Sequence, residues 1–323
     1  MRRLLLSLAV AVATLVVAPA AFADGPLLVT QGGTGVATHD GAFHYVAVPI
    51  RTGGTLLEKI RVHGAQVYWW MRLYGSWGNP ALGSGSVTGE GLSHDGKTLV
   101  LAPTSAPYSS PSRFLIVDPT RTRVLRTITL KGWFTFDALS PNGSRMYLIQ
   151  YTHGAANDVT HYIVRSYDMR KNRLLPGKIV ARSEDDEKTM SGYAMTRTTS
   201  ANGRWVYTLY QKPSGEPFIH ALDTVGGIAY CIDLPANKNL YNIALSLRNG
   251  GRTLAAHWRS GRPWLNVSVG TWEISTPSSG VPWAWVASGI GGGLALLSAG
   301  GLVLWRRRRE EVQQRPREEL GLA

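Results

Sequence analysis

The sequence predicts an all-β chain, a β-propeller of about five blades, followed by one C-terminal transmembrane helix. Three observations carry this. Five polar turns ending in glycine each sit between two apolar stretches, an apolar strand ending in Asp follows three of them, and a 24-residue run near the end holds no charge. The repeats make the fold and the run makes the topology.

In chain order, residues 1–23 come first. Arg2 and Arg3 precede an apolar run from Leu4 to Val17 and a small-x-small ending at Ala21-Phe22-Ala23. This is the layout of a secretory signal peptide, so the mature chain is expected to begin near Asp24.

The turns follow. Val36 to Gly41 leads into Phe43 to Val48, Leu92 to Gly96 into Thr98 to Leu101, and Leu139 to Gly143 into Met146 to Ile149. Thr199 to Gly203 leads into Trp205 to Tyr210, and Leu245 to Gly250 into Thr253 to Trp258. Asp-Gly and Asn-Gly supply the positive φ angles of tight hairpins, so Asp95-Gly96, Asn142-Gly143 and Asn202-Gly203 are assigned to turns between antiparallel strands. The turn glycines are 55, 47, 60 and 47 residues apart, a period that suits a four-stranded blade with variable loops.

A second half-unit recurs. Phe114 to Asp118, Tyr162 to Asp168 and Phe218 to Asp223 are apolar strands ending in Asp, and each precedes another strand, at Val124 to Leu130, Leu174 to Val180 and Ile228 to Leu234. Asp118, Asp168 and Asp223 follow their glycines by 22, 25 and 20 residues. They read as structural acceptors of backbone hydrogen bonds in the next turn. Thr55 to Val62 looks like a closing strand, and Trp264 to Ile274 has room for two. A sandwich also uses strands and turns, but it has no reason to repeat an Asp at a near-fixed offset.

These repeats resemble the YVTN and YncE-like group of bacterial β-propellers. That group's unit carries a Ser-Pro-Asp-Gly turn, a Val-Ile-Asp strand and a closing strand, and Leu139-Ser-Pro-Asn-Gly143 with Ile116-Val117-Asp118-Pro119 match it best. The resemblance spans residues 36–274 and implies a propeller. Seven blades are usual in the group while five units are clear here, which leaves six or seven blades open.

The end of the ectodomain is set by Pro282 to Trp305, which carries no charged residue. As a helix it reaches about 36 Å, enough to cross a ~30 Å hydrocarbon core with some tilt. Trp283, Trp285 and Trp305 sit at its boundaries, and Arg306, Arg307, Arg308 and Arg309 follow at once, a block that resists translocation. The expected organisation is a signal peptide at 1–23, an extracellular propeller at 24–280, a span at 282–305 and a cytoplasmic basic tail at 306–323. The protein is thus expected to be a single-pass type I protein of the cell membrane. Gly289 and Gly293 have the small-residue spacing that lets two membrane helices approach, giving a route to a homodimer.

Composition narrows the chemistry. The formal charge is +13, but export argues against nucleic acid as a partner. A single cysteine, Cys231, excludes an internal disulfide framework and a Cys-rich zinc site, and its apolar neighbours favour a buried thiol. His39 and His94 share a repeat position before Asp40 and Asp95, and none of the eight histidines forms a paired i, i+4 metal motif. No P-loop, dinucleotide fingerprint or G-x-S-x-G elbow is present, so no cofactor, metal or catalytic residue is assigned.

Three tryptophans are the candidate ligand contacts. Trp69, Trp70 and Trp77 lie in an aromatic stretch beside small residues, the mixture that makes flat recognition surfaces, although alternation also allows them in a core. The acidic run Ser183 to Glu187 lacks the spaced ligands of a calcium loop and reads as a solvated excursion. Arg121, Arg123, Arg170, Lys171 and Arg173 fall in equivalent turns and would form a modest positive strip. Together these features favour a tethered binding or scaffolding module for an envelope polymer, peptide or partner protein over an enzyme. The alternative is an exported hydrolase or lactonase-like enzyme, which needs His, Asp or Glu from several units to converge at the central channel.

Overall fold

The computed structural model describes residues 28–84, 86–104, 110–152, 161–181, 190–237 and 239–277. The signal-peptide segment, the acidic run, the 282–305 span with Gly289 and Gly293, and Arg306 to Arg309 lie outside these residues. Among the described residues, no helix is long and apolar enough to cross a membrane. The chain divides into two units after Ser275, and the fold below is that of the first.

That unit is all-β. Its described helices are two single 3-10 turns, Leu240–Asn242 and Asn249–Gly251. The described strands form five antiparallel sheets that succeed one another along the chain. A short strand β1 (Leu28–Thr30) comes first. Sheet 1 follows with β2 (Val36–Ala37), β3 (Phe43–Pro49), β4 (Thr55–Arg61) and β5 (Val67–Leu73) in that order. Sheet 2 holds β6 (Trp77–Ser84), β7 (Ser86–Gly89), β8 (Leu99–Pro103), β9 (Ser112–Asp118) and β10 (Arg123–Leu130), and β1 returns to pair with β6.

Sheet 3 is β11 (Trp133–Leu139), β12 (Arg145–Tyr151), β13 (Tyr162–Asp168) and β14 (Arg173–Leu174). Sheet 4 is β15 (Tyr193–Thr199), β16 (Trp205–Gln211), β17 (Pro217–Asp223) and β18 (Ile228–Asp233). Sheet 5 is β19 (Ile243–Arg248), β20 (Thr253–Trp258), β21 (Pro263–Ser268) and β22 (Ile274–Ser275).

The period-2 pattern explains how sheets stack. Side chains of a strand alternate between faces, so a central strand apolar at every position must be covered on both. In β8, Leu99 and Leu101 join Tyr45, Leu57 and Leu73 of sheet 1, while Val100 and Ala102 join Phe134, Phe136 and Met146 of sheet 3. In β12, Met146 and Leu148 face sheet 2 while Tyr147 and Ile149 face Tyr210, Phe218 and Leu222 of sheet 4. Tyr207 and Leu209 of β16 then pack on Ile243, Leu254 and Leu265 of sheet 5. Each sheet therefore packs on the next, as propeller blades do. At about 1.5–3 kcal/mol for each fully buried Leu, Ile or Phe side chain, these interfaces are the main stabilising term.

Polar ties fix the sheets laterally. Thr55 Oγ1 accepts from Trp77 N at 2.8 Å and lies 3.0 Å from Gly75 O, to which it donates. Ser112 Oγ does the same between sheets 2 and 3, accepting from Phe134 N at 2.8 Å and donating to Gly132 O at 2.9 Å. Further on, Tyr147 Oη donates to Thr224 O at 2.7 Å.

Two details differ from the sequence expectation. Thr55 to Arg61 is the third strand of sheet 1, not its last, because the aromatic segment beyond it pairs as β5. The turns also use one positive φ angle rather than two. Gly41, Gly96, Gly143 and Gly203 have φ of 66, 69, 65 and 72°, whereas Asp40, Asp95, Asn142 and Asn202 do not enter the left-handed region. A side-chain network replaces the second. In the first four sheets the turn hydroxyl of Thr38, Ser93, Ser140 or Ser200 donates to the Asp or Asn two residues on, at 2.6, 2.7, 3.2 and 2.8 Å. The same hydroxyl accepts the N–H five residues on, closing the loop. Sheet 5 departs from the set: Asn249 and Gly250 are both left-handed, with φ of 53 and 65°.

Candidate functional site

The repeat turns present one side chain that their own network leaves unused, the residue after the hydroxyl. It is His39 in sheet 1, His94 in sheet 2, Pro141 in sheet 3 and Ala201 in sheet 4. The His39 and His94 rings meet with centroids 3.8 Å apart. The turn of sheet 4 reaches the same place, since a Cβ on Gly203 would lie 2.6 Å from His94 Cβ. Burial, then neighbouring His39, holds His94 below the ordinary imidazole value against the pull of Asp95. Three separate sheets thus converge on one spot.

Beside it lies a cavity of about 460 Å³, lined among others by Gly35, His39, His44, Glu90, His94 and Arg197. The backbones of sheets 1 and 2 close one side tightly, since a Cβ on Gly89 would lie 2.1 Å from Gly35 O. Only glycine fits such an approach. His44 Nδ1 is buried and has no hydrogen-bond partner among the described residues.

The charged part of the wall follows from a β-bulge. The β11–β12 ladder pairs Phe136 with Leu148 and Ala138 with Tyr147, leaving Asp137 as the extra residue. A bulge re-aims a side chain and frees its carbonyl from the ladder. Arg197 of β15 takes both groups: Nη2 donates to Asp137 Oδ1 at 2.5 Å and Nη1 to Asp137 O at 2.5 Å, while Nε donates to Thr208 Oγ1 at 2.9 Å. Arg197 and Asp137 are each only 3% exposed. Burial disfavours the charged guanidinium, but Asp137 and Glu90 outweigh it and keep Arg197 firmly protonated.

Glu90 differs from Asp137. Its Oε2 is 3.9 Å from Arg197 Nη1, too far for a hydrogen bond, and its side chain keeps 22% exposure. Burial pushes its carboxyl above the usual carboxylate range, Arg197 opposes this, and Asp137 adds to it.

The tryptophans lie elsewhere. Trp77 is buried, its Nε1 donating to Tyr74 O at 2.7 Å, and it belongs to the core between sheets 1 and 2. Trp69 packs partly on that core, with its ring 5.8 Å from Tyr45. Trp70 is 62% exposed on β5. None of the three lines the cavity.

The strand-ending aspartates bind their own turns. Asp118 Oδ1 accepts from the N–H groups of Thr120 and Arg121 at 3.1 Å each, and Asp168 Oδ1 from Arg170 and Lys171 at 2.9 Å each. Asp223 Oδ1 accepts from Val225 at 3.0 Å and Gly226 at 2.9 Å, and Arg204 forks onto both its oxygens at 2.9 and 2.6 Å. Of the basic turn residues, Arg121 and Arg123 face Asp118 at 3.9 and 3.6 Å. Cys231 Sγ is 3.7 Å from His220 Nδ1. Burial lowers His220 to about 4, so near neutral pH the thiol faces an uncharged ring. Among the described residues, no group of three His, Cys, Asp or Glu side chains is placed to hold a metal ion.

Sequence reasoning singled out His39 and His94 by their shared position but did not find Glu90, His44, Asp137 or Arg197. The signal for Glu90 is its neighbours, Gly89 and Gly91, glycines a strand does not need. Asp137 and Arg197 carry no local signal, because a bulge brings them together across 60 residues.

No family model and no curated protein sequence matches the chain. Among solved structures it is similar to Kuenenia stuttgartiensis hydrazine synthase, with TM-score 0.42 and 16% identity over 70% of this chain and 61% of that one. It is also similar to the Swd1 β-propeller domain of Myceliophteria thermophila, with TM-score 0.39 and 11% identity over 72% and 67% of the two chains. A TolB-type protein of Agrobacterium tumefaciens gives TM-score 0.43 and 12% identity over 78% and 79%. The chain therefore spans under two thirds of the hydrazine synthase chain. The propeller reading stands on the five sheets and their packing.

Proposed function

We propose that the chain is a membrane-anchored extracellular β-propeller of the YVTN/YncE-like kind that binds an envelope polymer, peptide or partner protein at the cavity lined by sheets 1 to 4. The carrying observation is that polar side chains from three separate sheets surround one cavity while the buried Arg197–Asp137 pair braces its wall. Preorganised concave sites with few polar groups are what small-ligand recognition uses. In this reading residues 1–23 direct export, 282–305 anchor the chain, and Arg306 to Arg309 hold the tail in the cytoplasm. Gly289 and Gly293 would pair two copies within the membrane.

The test is retention of the full chain on fractionated envelope polymers, with Glu90→Gln and His94→Ala in parallel. Binding weakened by both variants supports the proposal. Absence of retention on every fraction, or retention indifferent to both variants, overturns it.

One observation favours a second reading. A propeller hydrolase needs carboxyl and imidazole groups from different units at one site, and Glu90 with His39, His44 and His94 meets that requirement. Its test is hydrolysis of a chromogenic ester or lactone that is lost on Glu90→Gln; activity unchanged in the variant would remove it.

A further inference from the structure

The wall of the cavity holds the Glu90 carboxyl and the Arg197 guanidinium, and a second carboxyl, Asp137, lies buried behind the guanidinium. Asp137 takes Arg197 through its Oδ1 and its backbone oxygen at 2.5 Å each, and Thr208 takes the remaining Nε. That pair is closed off from water, at 3% exposure on both sides. Glu90 is left 3.9 Å from Nη1 and, among the described residues, accepts no hydrogen bond. Ionised, it is one negative charge more than the wall balances, and of the two acids it is the one that opens on the cavity.

We infer that this cavity takes a ligand bearing a single ammonium or guanidinium group, seated on the Glu90 carboxylate. The inference rests on the cavity being the binding site and adds the class of ligand. An incoming cation restores neutrality and supplies the N–H donors that Glu90 lacks. His44 lines the same cavity. An anion would instead face the Glu90 carboxylate. Burial raises the Glu90 carboxyl above the usual carboxylate range, which agrees with a site completed by a cation, because a proton can stand in for it.

The volume also fits. About 460 Å³ lies within the range of small-ligand cavities and accommodates a chain of several methylenes ending in an amine. A basic side chain of a peptide or an amino group of an envelope polymer has this form.

The experiment titrates the full chain with n-butylammonium, 1-butanol and butyrate, read by calorimetry, on the wild type and on Glu90→Gln. These probes share a shape and differ in charge. The expected result is that butylammonium binds the wild type at least about tenfold tighter than either control, and that Glu90→Gln removes that preference. Butanol or butyrate binding as well as the amine, no amine binding, or an unchanged preference in Glu90→Gln would each overturn the inference. Should the variant not fold, the wild-type series alone decides. Polymer retention that depends on the cavity but ignores the amine would refute the cation and leave the binding module standing.

Discussion

Replacing the turn glycines by alanine separates backbone strain from sheet-to-sheet contact. Gly41, Gly96, Gly143 and Gly203 share one conformation, with φ between 65 and 72°, so Ala is strained equally at all four. That strain is about 1 kcal/mol. Their surroundings differ. A Cβ on Gly41 or Gly96 meets nothing within 4 Å. A Cβ on Gly143 would lie 2.3 Å from Thr98 Oγ1 and 2.7 Å from Thr98 Cβ in sheet 2, and one on Gly203 would lie 2.6 Å from His94 Cβ. Overpacking of this kind adds roughly 1–3 kcal/mol.

Urea unfolding followed by tryptophan fluorescence should therefore place Gly41→Ala and Gly96→Ala about 1 kcal/mol below wild type and Gly143→Ala and Gly203→Ala about 2–4 kcal/mol below. In thermal melts the second pair should fall a further ~2–12 °C, given about 2–4 °C per kcal/mol for a domain of this size. Gly203→Ala should also weaken cavity binding, because it displaces His94. Four equal losses would refute the claim that the turns of sheets 3 and 4 lean on sheet 2.

Three other outcomes are expected. Arg197→Met should destabilise by about 3–5 kcal/mol in chemical unfolding, since it strands the buried Asp137 carboxylate. Asp223→Ala should lose about 2 kcal/mol, because the Val225 and Gly226 N–H groups and the Arg204 fork lose their acceptor together. The third concerns acid. His220 is buried with its value lowered from 6.5 to about 4, so below pH 6.5 the unfolded chain binds a proton that the native one refuses. Stability should fall as pH drops from about 6.5 to about 4, by on the order of 3 kcal/mol, and His220→Leu should flatten that limb. Asp168, held below 3.8 first by the Lys171 N–H and despite burial, withdraws its contribution only at lower pH, outside this window.

The local turn units were readable because each is written in adjacent residues. Ser140-Pro-Asn-Gly143 contains every atom its turn needs, and the flanking apolar runs identify β11 and β12. What escaped was set by pairing across long separations. In sequence β5 reads either as a flat aromatic recognition surface or as core, because its aromatics stand side by side. Its register shifts between Lys59 and Ile60, which throws Tyr68 onto the face of Phe43. The 174–180 stretch reads as a strand, yet β14 is only two residues long, with Ile179 bridging Val164 separately. The cavity was half legible. His39 and His94 follow from the repeat, whereas Arg197 and Asp137 find each other only through a bulge.

The pairing of β1 with β6 has a consequence for modularity. Thr30 lies opposite Asn79, so the points where the chain leaves for sheet 1 and returns from it are neighbours on one antiparallel stalk. Residues 31–76 hang from that stalk as a cassette, and a short connector from Thr30 to Trp77 could replace them without rerouting the other four sheets. Because the cassette carries His39 and His44, swapping it would rewrite one side of the binding pocket while the carboxylate opposite stays in place.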